Sequence, residues 1–181
     1  GWGDVQWLVA ALGVGLGFGL QEIVANFVSG LIVLAERPIR IGDVVTVGST
    51  TGKVARIQAR ATVLVDFDNK EVIIPNKTFI TGSVVNWTLS SEVSRLVLKF
   101  GVAYGSDMVA VQQRIVEAVC LLPDVLPNPA PAVFFVGFGE KKLDFEIHAY
   151  VDSVNDRFRV QHEINLATER VLRELGAQAT P

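Results

Sequence analysis

The sequence predicts a membrane-spanning α-helical segment followed by α+β domains. Three observations predict it. Val5 to Ala35 is an apolar run of 31 residues whose one charge is Glu22. Residues 39–90 break into short β-rich runs separated by Gly, Asp and Asn. Residues 93–181 alternate strand-like and helix-like patterns in the order βαββα, that of a split βαβ, ferredoxin-like unit. The corresponding boundaries are 1–36, 37–91 and 92–181.

The first segment is the most informative. A bilayer core needs about 20 apolar residues, so the run is long enough for one span and a second, bent piece. Leu8 to Leu20 carries four glycines, at 13, 15, 17 and 19. Each Gly inside a helix costs about 1 kcal/mol relative to Ala, so four need a compensating reason. At about 100° per residue, Gly13 and Gly17 fall on one flank beside Ala10. Gly15 and Gly19 fall on the other. Val14 and Phe18 lie between the flanks, and Leu12, Leu16 and Leu20 lie opposite. Small residues let helix backbones approach closely. Two small-residue flanks suit a ring of identical helices, with Val14 and Phe18 turned towards a central axis. A flexible loop is disfavoured, since Val, Leu and Phe intervene rather than Ser, Asn or Asp. A dinucleotide loop is disfavoured because Phe18 stands where G-x-G-x-x-G requires its last glycine.

Residues 22–36 read as a second helix after a bend at Gln21–Glu22. A charged Glu is costly in hydrocarbon, so Glu22 is expected at an interface, paired with a basic residue or solvated. Asn26, Ser29, Gly30 and Val33 recur at helical spacing and mark one stripe. Pro38 ends the helix by disfavouring helical backbone at Arg37. Arg37, Arg40, Lys53, Arg56 and Arg60 follow the run and only Asp4 precedes it, which orients the later domains to the cytoplasm. Arg37 and Arg40 are candidate contacts for anionic lipid head groups, and Trp2 and Trp7 suit an interfacial belt. The run has no basic leader or cleavage pattern of a signal peptide. Its abrupt start suggests the terminal part of a longer protein.

Strands are expected at Val44–Val47, Gly52–Ala61, Thr62–Asp66, Glu71–Ile74 and Val84–Thr88, with a hairpin turn at Phe67–Lys70. Together they make a small bent sheet or partial barrel. Trp87 is expected in its core. In the last segment, strands are expected at Arg95–Ala103, Ala132–Gly137 and Leu143–Val151. A helix capped by Ser106 runs to about Leu122, and another runs from about Asp156 to Leu175 and stops at Gly176. Cys120 reads as a buried small hydrophobe. A final strand would have to follow Gly176, and the sequence reads as lacking it, with five residues remaining.

The net charge of −3 disfavours nucleic-acid binding. One Cys and two His offer no disulfide or metal framework, and neither His148 nor His162 has a nucleophile or carboxylate arrangement suggesting catalysis. No cofactor is expected.

The motif Gly15-Leu-Gly-Phe-Gly-Leu-Gln-Glu-Ile-Val-Ala-Asn-Phe-Val-Ser-Gly30, followed by Glu36-Arg-Pro-Ile-Arg-Ile-Gly-Asp43, resembles the MscS family of mechanosensitive channels. Val72-Ile-Ile-Pro-Asn-Lys77 and Val102-Ala-Tyr-Gly-Ser-Asp107 are similar to it as well. The wording is nearest to the potassium-dependent MscK-type branch. The resemblance implies a homoheptamer in a bacterial inner membrane, acting as an osmotic safety valve for ions and small osmolytes. It implies a kinked pore-lining helix, an Sm-like β domain and a cytoplasmic α/β domain forming a vestibule. It puts Val14 and Phe18 at two hydrophobic constriction rings, Glu22 at the hinge, and Gln21 and Asn26 beside it. The competing readings are a non-conducting membrane scaffold and a soluble RNA-binding module, the latter disfavoured by the apolar run and the net charge.

Overall fold

The computed structural model describes residues 1–177. They form two compact units, Gly1–Ser90 and Ser91 onward. In the first, α1 (Trp2–Glu36) is one helix of 35 residues. Helical structure continues through Gln21 and Glu22, so the two helical pieces expected from the sequence are a single element. α1 ends where Arg37 enters the left-handed region (φ 56°), its N–H still bonded to the Val33 carbonyl. Pro38 then prevents continuation.

Five strands follow: β1 (Val44–Val47), β2 (Thr50–Ile57), β3 (Ala61–Asp66), β4 (Glu71–Pro75) and β5 (Val84–Asn86). A short helix, α2 (Asn76–Thr81), stands between β4 and β5. The sheet order is β4-β3-β2-β1-β5, with every neighbouring pair antiparallel. This is a meander whose last strand returns to pair with the first. The register slips between Val54 and Arg56, and a bulge there bends and twists the strand. The β3–β4 turn falls where Phe67–Lys70 was expected. Asp66 Oδ1 accepts from the N–H groups of Asp68 and Lys70, and Asn69 takes a positive φ of 62°.

Alternate residues of the sheet bury Val45, Val47, Val54, Leu64 and Ile74, and Val33, Ile39 and Phe79 close the core over them. Val33 belongs to α1, so the last turns of the membrane-length helix are part of the β unit's core. Trp87 departs from expectation. It is 36% exposed, and its indole N–H donates to Thr46 Oγ1 at 2.9 Å. A Trp whose N–H needs a partner settles at the sheet margin, where a hydroxyl is available.

The second unit comprises β6 (Ser94–Val102), α3 (Met108–Cys120), β7 (Ala132–Phe138), β8 (Leu143–Val151) and α4 (Arg157–Glu174). β8 lies between β6 and β7 and runs antiparallel to both. The β6–α3–β7 crossover therefore joins two parallel strands with a third inserted between them, which is the split βαβ arrangement. α4 buries Val160, Ile164, Ala167, Thr168, Val171 and Leu172, a stripe at helical spacing. Asp107 caps α3 by accepting from the Ala110 N–H at 3.1 Å, while Ser106, the expected cap, donates to the Ala103 carbonyl. Cys120 is exposed rather than buried. Ala118 and Val119 take the core side of the last turn, and the next residue rotates away from it. The residues after Ala177, where the sequence is read as lacking a final strand, lie outside the described residues.

Asp43 organises the entry to the sheet. Its Oδ2 accepts from the Arg40 N–H at 3.0 Å and from Asn86 at 2.8 Å, and its Oδ1 accepts from Thr88 at 3.1 Å. Burial opposes the charge, but hydrogen bonds from Asn86, Thr88 and the Arg40 backbone, with the Arg40 charge, outweigh it and hold the carboxyl below its ordinary 3.8. The folded value is thus below the unfolded one. Its stabilisation is complete above about pH 4 and is lost as pH falls through the folded value. In acid unfolding monitored by circular dichroism, Asp43→Asn should lower stability at pH 7 and flatten the loss below pH 4.

Candidate functional site

Residues 1–24 are exposed at every position in the isolated chain. Val14 and Phe18 are 61% and 73% exposed, and a Cβ added at Gly13, Gly15, Gly17 or Gly19 would meet nothing within 4 Å. Nothing in the described chain covers the Ala10–Gly13–Gly17 flank or the Gly15–Gly19 flank. The helix meets the length and apolarity of a membrane span. An apolar surface of this extent is stable only against lipid or another protein surface.

Contact with the β unit begins at Glu22. Its Oε1 accepts from Lys77 Nζ at 2.9 Å, so the expected basic partner is the second residue of α2. One turn further on, Asn26 Oδ1 accepts from the Lys77 N–H at 2.9 Å, and Asn26 Nδ2 donates to the Glu22 carbonyl at 3.0 Å. Ser29, Gly30 and Val33 are then buried, which completes the stripe read from helical spacing.

Beneath the helix sits Asn76, fully buried. Its Oδ1 accepts from Thr62 Oγ1 at 2.8 Å, and its Nδ2 donates to the carbonyls of Gln58 and Ala59 at 2.8 and 3.2 Å. Its own N–H donates to the Arg60 carbonyl at 2.9 Å. Asn76 thus satisfies the open carbonyls of the β2–β3 turn and pins the start of α2 to it. Gly30 packs on this knot so closely that a Cβ would lie 2.6 Å from Asn76 Nδ2 and 2.8 Å from the Ala59 oxygen. In the sequence Asn76 and Lys77 stand within the Val72–Lys77 motif, which carries no role for either. The available signal was Pro-Asn directly after a strand, which marks a turn and not its partner.

Arg37 and Arg40 flank a groove of about 380 Å³ with Leu34, Ile39 and Ile41 beside them. Arg40 also donates to the Leu89 carbonyl. Among the described residues, no group of three or more His, Cys, Asp or Glu is placed to hold a metal ion.

A membrane-length helix mounted on an antiparallel β unit, with a split βαβ unit following in the chain, defines a class of membrane protein. Residues 22–89 match the profile of the mechanosensitive ion channel β-domain, and residues 96–179 match that of the MscS C-terminal domain. The chain is 55% identical over 158 residues to mechanosensitive channel MscK of Escherichia coli, covering 87% of this chain and 14% of that one. It is 48% identical over 164 residues to miniconductance mechanosensitive channel MscM of the same organism, covering 91% of this chain and 15% of that one. The chain therefore spans about one-seventh of the length of these relatives. The crystal structure of Helicobacter pylori MscS in its closed state superposes with a TM-score of 0.89 at 20% identity, over 97% of this chain and 69% of that one. The chain belongs to the MscS family of mechanosensitive ion channels.

Asn76→Ala removes the partner of the buried Thr62 hydroxyl, at about 1–3 kcal/mol for a buried group left unsatisfied, and releases the Gln58 and Ala59 carbonyls of the turn. Gly30→Ala forces the helix off the turn, at about 1–3 kcal/mol. Both should lower the thermal midpoint of the detergent-solubilised protein. An unchanged midpoint for either variant would refute the mount described here.

Proposed function

We propose that the chain forms a subunit of a tension-gated, weakly selective channel that releases ions and small osmolytes under osmotic stress. The observation that carries this reading is α1 itself, apolar along its length, uncovered over residues 1–24 and fastened at its far end to the β unit. Such a helix needs identical neighbours and lipid to cover it. The family supports a homo-oligomer, seven subunits in our reading, in a bacterial inner membrane with the later domains in the cytoplasm. The proposed boundaries are 1–36 for the pore helix, 37–91 for the Sm-like domain and 92–181 for the α/β domain.

In this arrangement Ala10, Gly13 and Gly17 face one neighbour, and Gly15 and Gly19 face the other. Val14 and Phe18 then form the constriction. Their side chains offer ions and water no hydrogen-bonding groups, so a narrow ring closes by dewetting without full steric contact. Membrane tension favours the state of larger in-plane area. Neighbouring helices sliding over glycine flanks carry the two rings outward, and the pore wets. No fixed charge lies at the constriction, which favours weak selectivity. A bend at Gln21–Glu22 accommodates the change in tilt. Arg37 and Arg40 contact anionic head groups at the membrane surface. The chemistry is passage of solutes rather than catalysis.

Single-channel recording under a suction ramp, on the longest protein carrying this segment, tests the reading. Replacing a large apolar side chain with Ser forfeits about 1.5–3 kcal/mol of apolar stabilisation per subunit. Val14→Ser and Phe18→Ser should therefore open at lower tension or leak at rest. Assembled complexes whose threshold and leak are unchanged in both variants would sink the channel reading and favour a non-conducting scaffold.

A further inference from the structure

The sheet of the second unit packs its helices on one face, where β8 buries Leu143, Phe145, Ile147, Ala149 and Val151. The residues between them stand half-exposed on the other face. There Asp144 is in register with Gly101 on β6 and with Gly137 on β7. Glycine on both neighbouring strands leaves no side chain beside the carboxylate. The β7 register slips at the same place, and the extra residue, Val136, is 51% exposed. The result is a groove of about 570 Å³ with Lys99, Gly101, Val136, Lys142, Asp144 and Glu146 on its walls. The Lys142 stem lies across Gly101, where a Cβ would collide with it. Lys99 stands opposite Glu146 in the register, but Glu146 Oε2 bonds to His148 Nε2 at 3.0 Å. Among the described residues, the side chains of Lys99, Lys142 and Asp144 have no hydrogen-bond or ion-pair partner.

We propose that this groove binds the head group of an α-amino acid with a small aliphatic side chain. Positive charge lies along the β6 side, from Lys99 and from the Lys142 stem over Gly101. Negative charge lies along β8, from Asp144 and Glu146. A ligand of one sign satisfies one column and is repelled by the other, whereas a zwitterion satisfies both. Neighbouring strands are about 4.8 Å apart, so the two ligand charges must lie close together, as an ammonium and a carboxylate on one carbon do. The ligand carboxylate accepts from Lys99 and Lys142. Its ammonium donates to Asp144 and Glu146, and its side chain rests on Val136. Hydrogen bonds between charged groups are the strong ones. A half-buried carboxylate without a partner is costly, so Asp144 gains most from a bound ammonium. The site uses no residue of α1 and stands whether or not the chain conducts.

The test uses the full-length protein carrying this segment, solubilised in detergent. The probe is L-valine, and the readout is saturation-transfer NMR of its methyl groups. Saturable binding is expected at about 1–10 mM, a range suited to a ligand of so few atoms. N-acetylvaline lacks the ammonium and valinamide lacks the carboxylate. Each should bind at least about tenfold more weakly, the effect of losing a hydrogen bond between charged groups. Asp144→Asn and Lys142→Met should weaken valine binding by a similar factor, with thermal midpoints showing that the variants are folded. The two analogues probe the parent protein, so they decide the matter even if a variant does not fold. Absence of saturable valine binding up to about 100 mM, tenfold above the expected range, would overturn the inference. So would analogues that bind as tightly as valine, because apolar contact with Val136 would then account for the signal. Folded variants that bind valine like the parent would overturn it too, because the ligand would then sit elsewhere.

Discussion

The first unit depends on one buried amide. Asn76 has no exposed surface, and both ends of its side chain are committed, to Thr62 on one side and to the carbonyls of Gln58 and Ala59 on the other. Buried polar groups are tolerated only when satisfied. Here the satisfaction closes the β2–β3 turn, starts α2 and gives Gly30 a surface to rest on. Removing the Asn76 amide would leave Thr62 and both turn carbonyls without these partners.

This knot explains how a helix suited to lipid can belong to a soluble core. Most of α1 finds no partner within the chain. Its last turns do, because Val33 joins Val45, Leu64 and Phe79 in the core, and Gly30 removes the side chain that would hold the helix away. The same helix thus has two solvents. Its upstream part requires lipid or sister helices, and one face of its downstream part, at Ser29, Gly30 and Val33, is covered by the β unit. The change of solvent falls at Glu22–Asn26, where α1 first bonds to the β unit.

Much of this was legible in sequence, for reasons that differ by element. β1 was read to the residue because Gly42-Asp43 and Gly48 bracket four β-formers. α4 was legible because its apolar residues repeat at helical spacing. The stripe of Asn26, Ser29, Gly30 and Val33 was visible for the same reason. α2 was not legible, since six residues of mixed character carry no periodicity and a helix so short is fixed by its contacts. Cys120 was misread because an apolar neighbourhood in sequence does not say which side of the last helical turn meets the core. Trp87 was misread because its size argued for burial, while its N–H required a partner found only at the margin.

The sequence by itself determined the membrane-length helix, its two small-residue flanks, the strand pattern and the βαββα order, because each is a local periodicity set by backbone geometry. It also indicated that Glu22 would sit at an interface, paired with a basic residue or solvated, since a carboxylate in hydrocarbon is costly. Only the tertiary structure decided that the partner is Lys77, 55 residues away, and that Gly30 of the helix seats on Asn76. Those pairings depend on how the β2–β3 turn, the end of β4 and the helix converge in space, and no local pattern records where three distant segments meet.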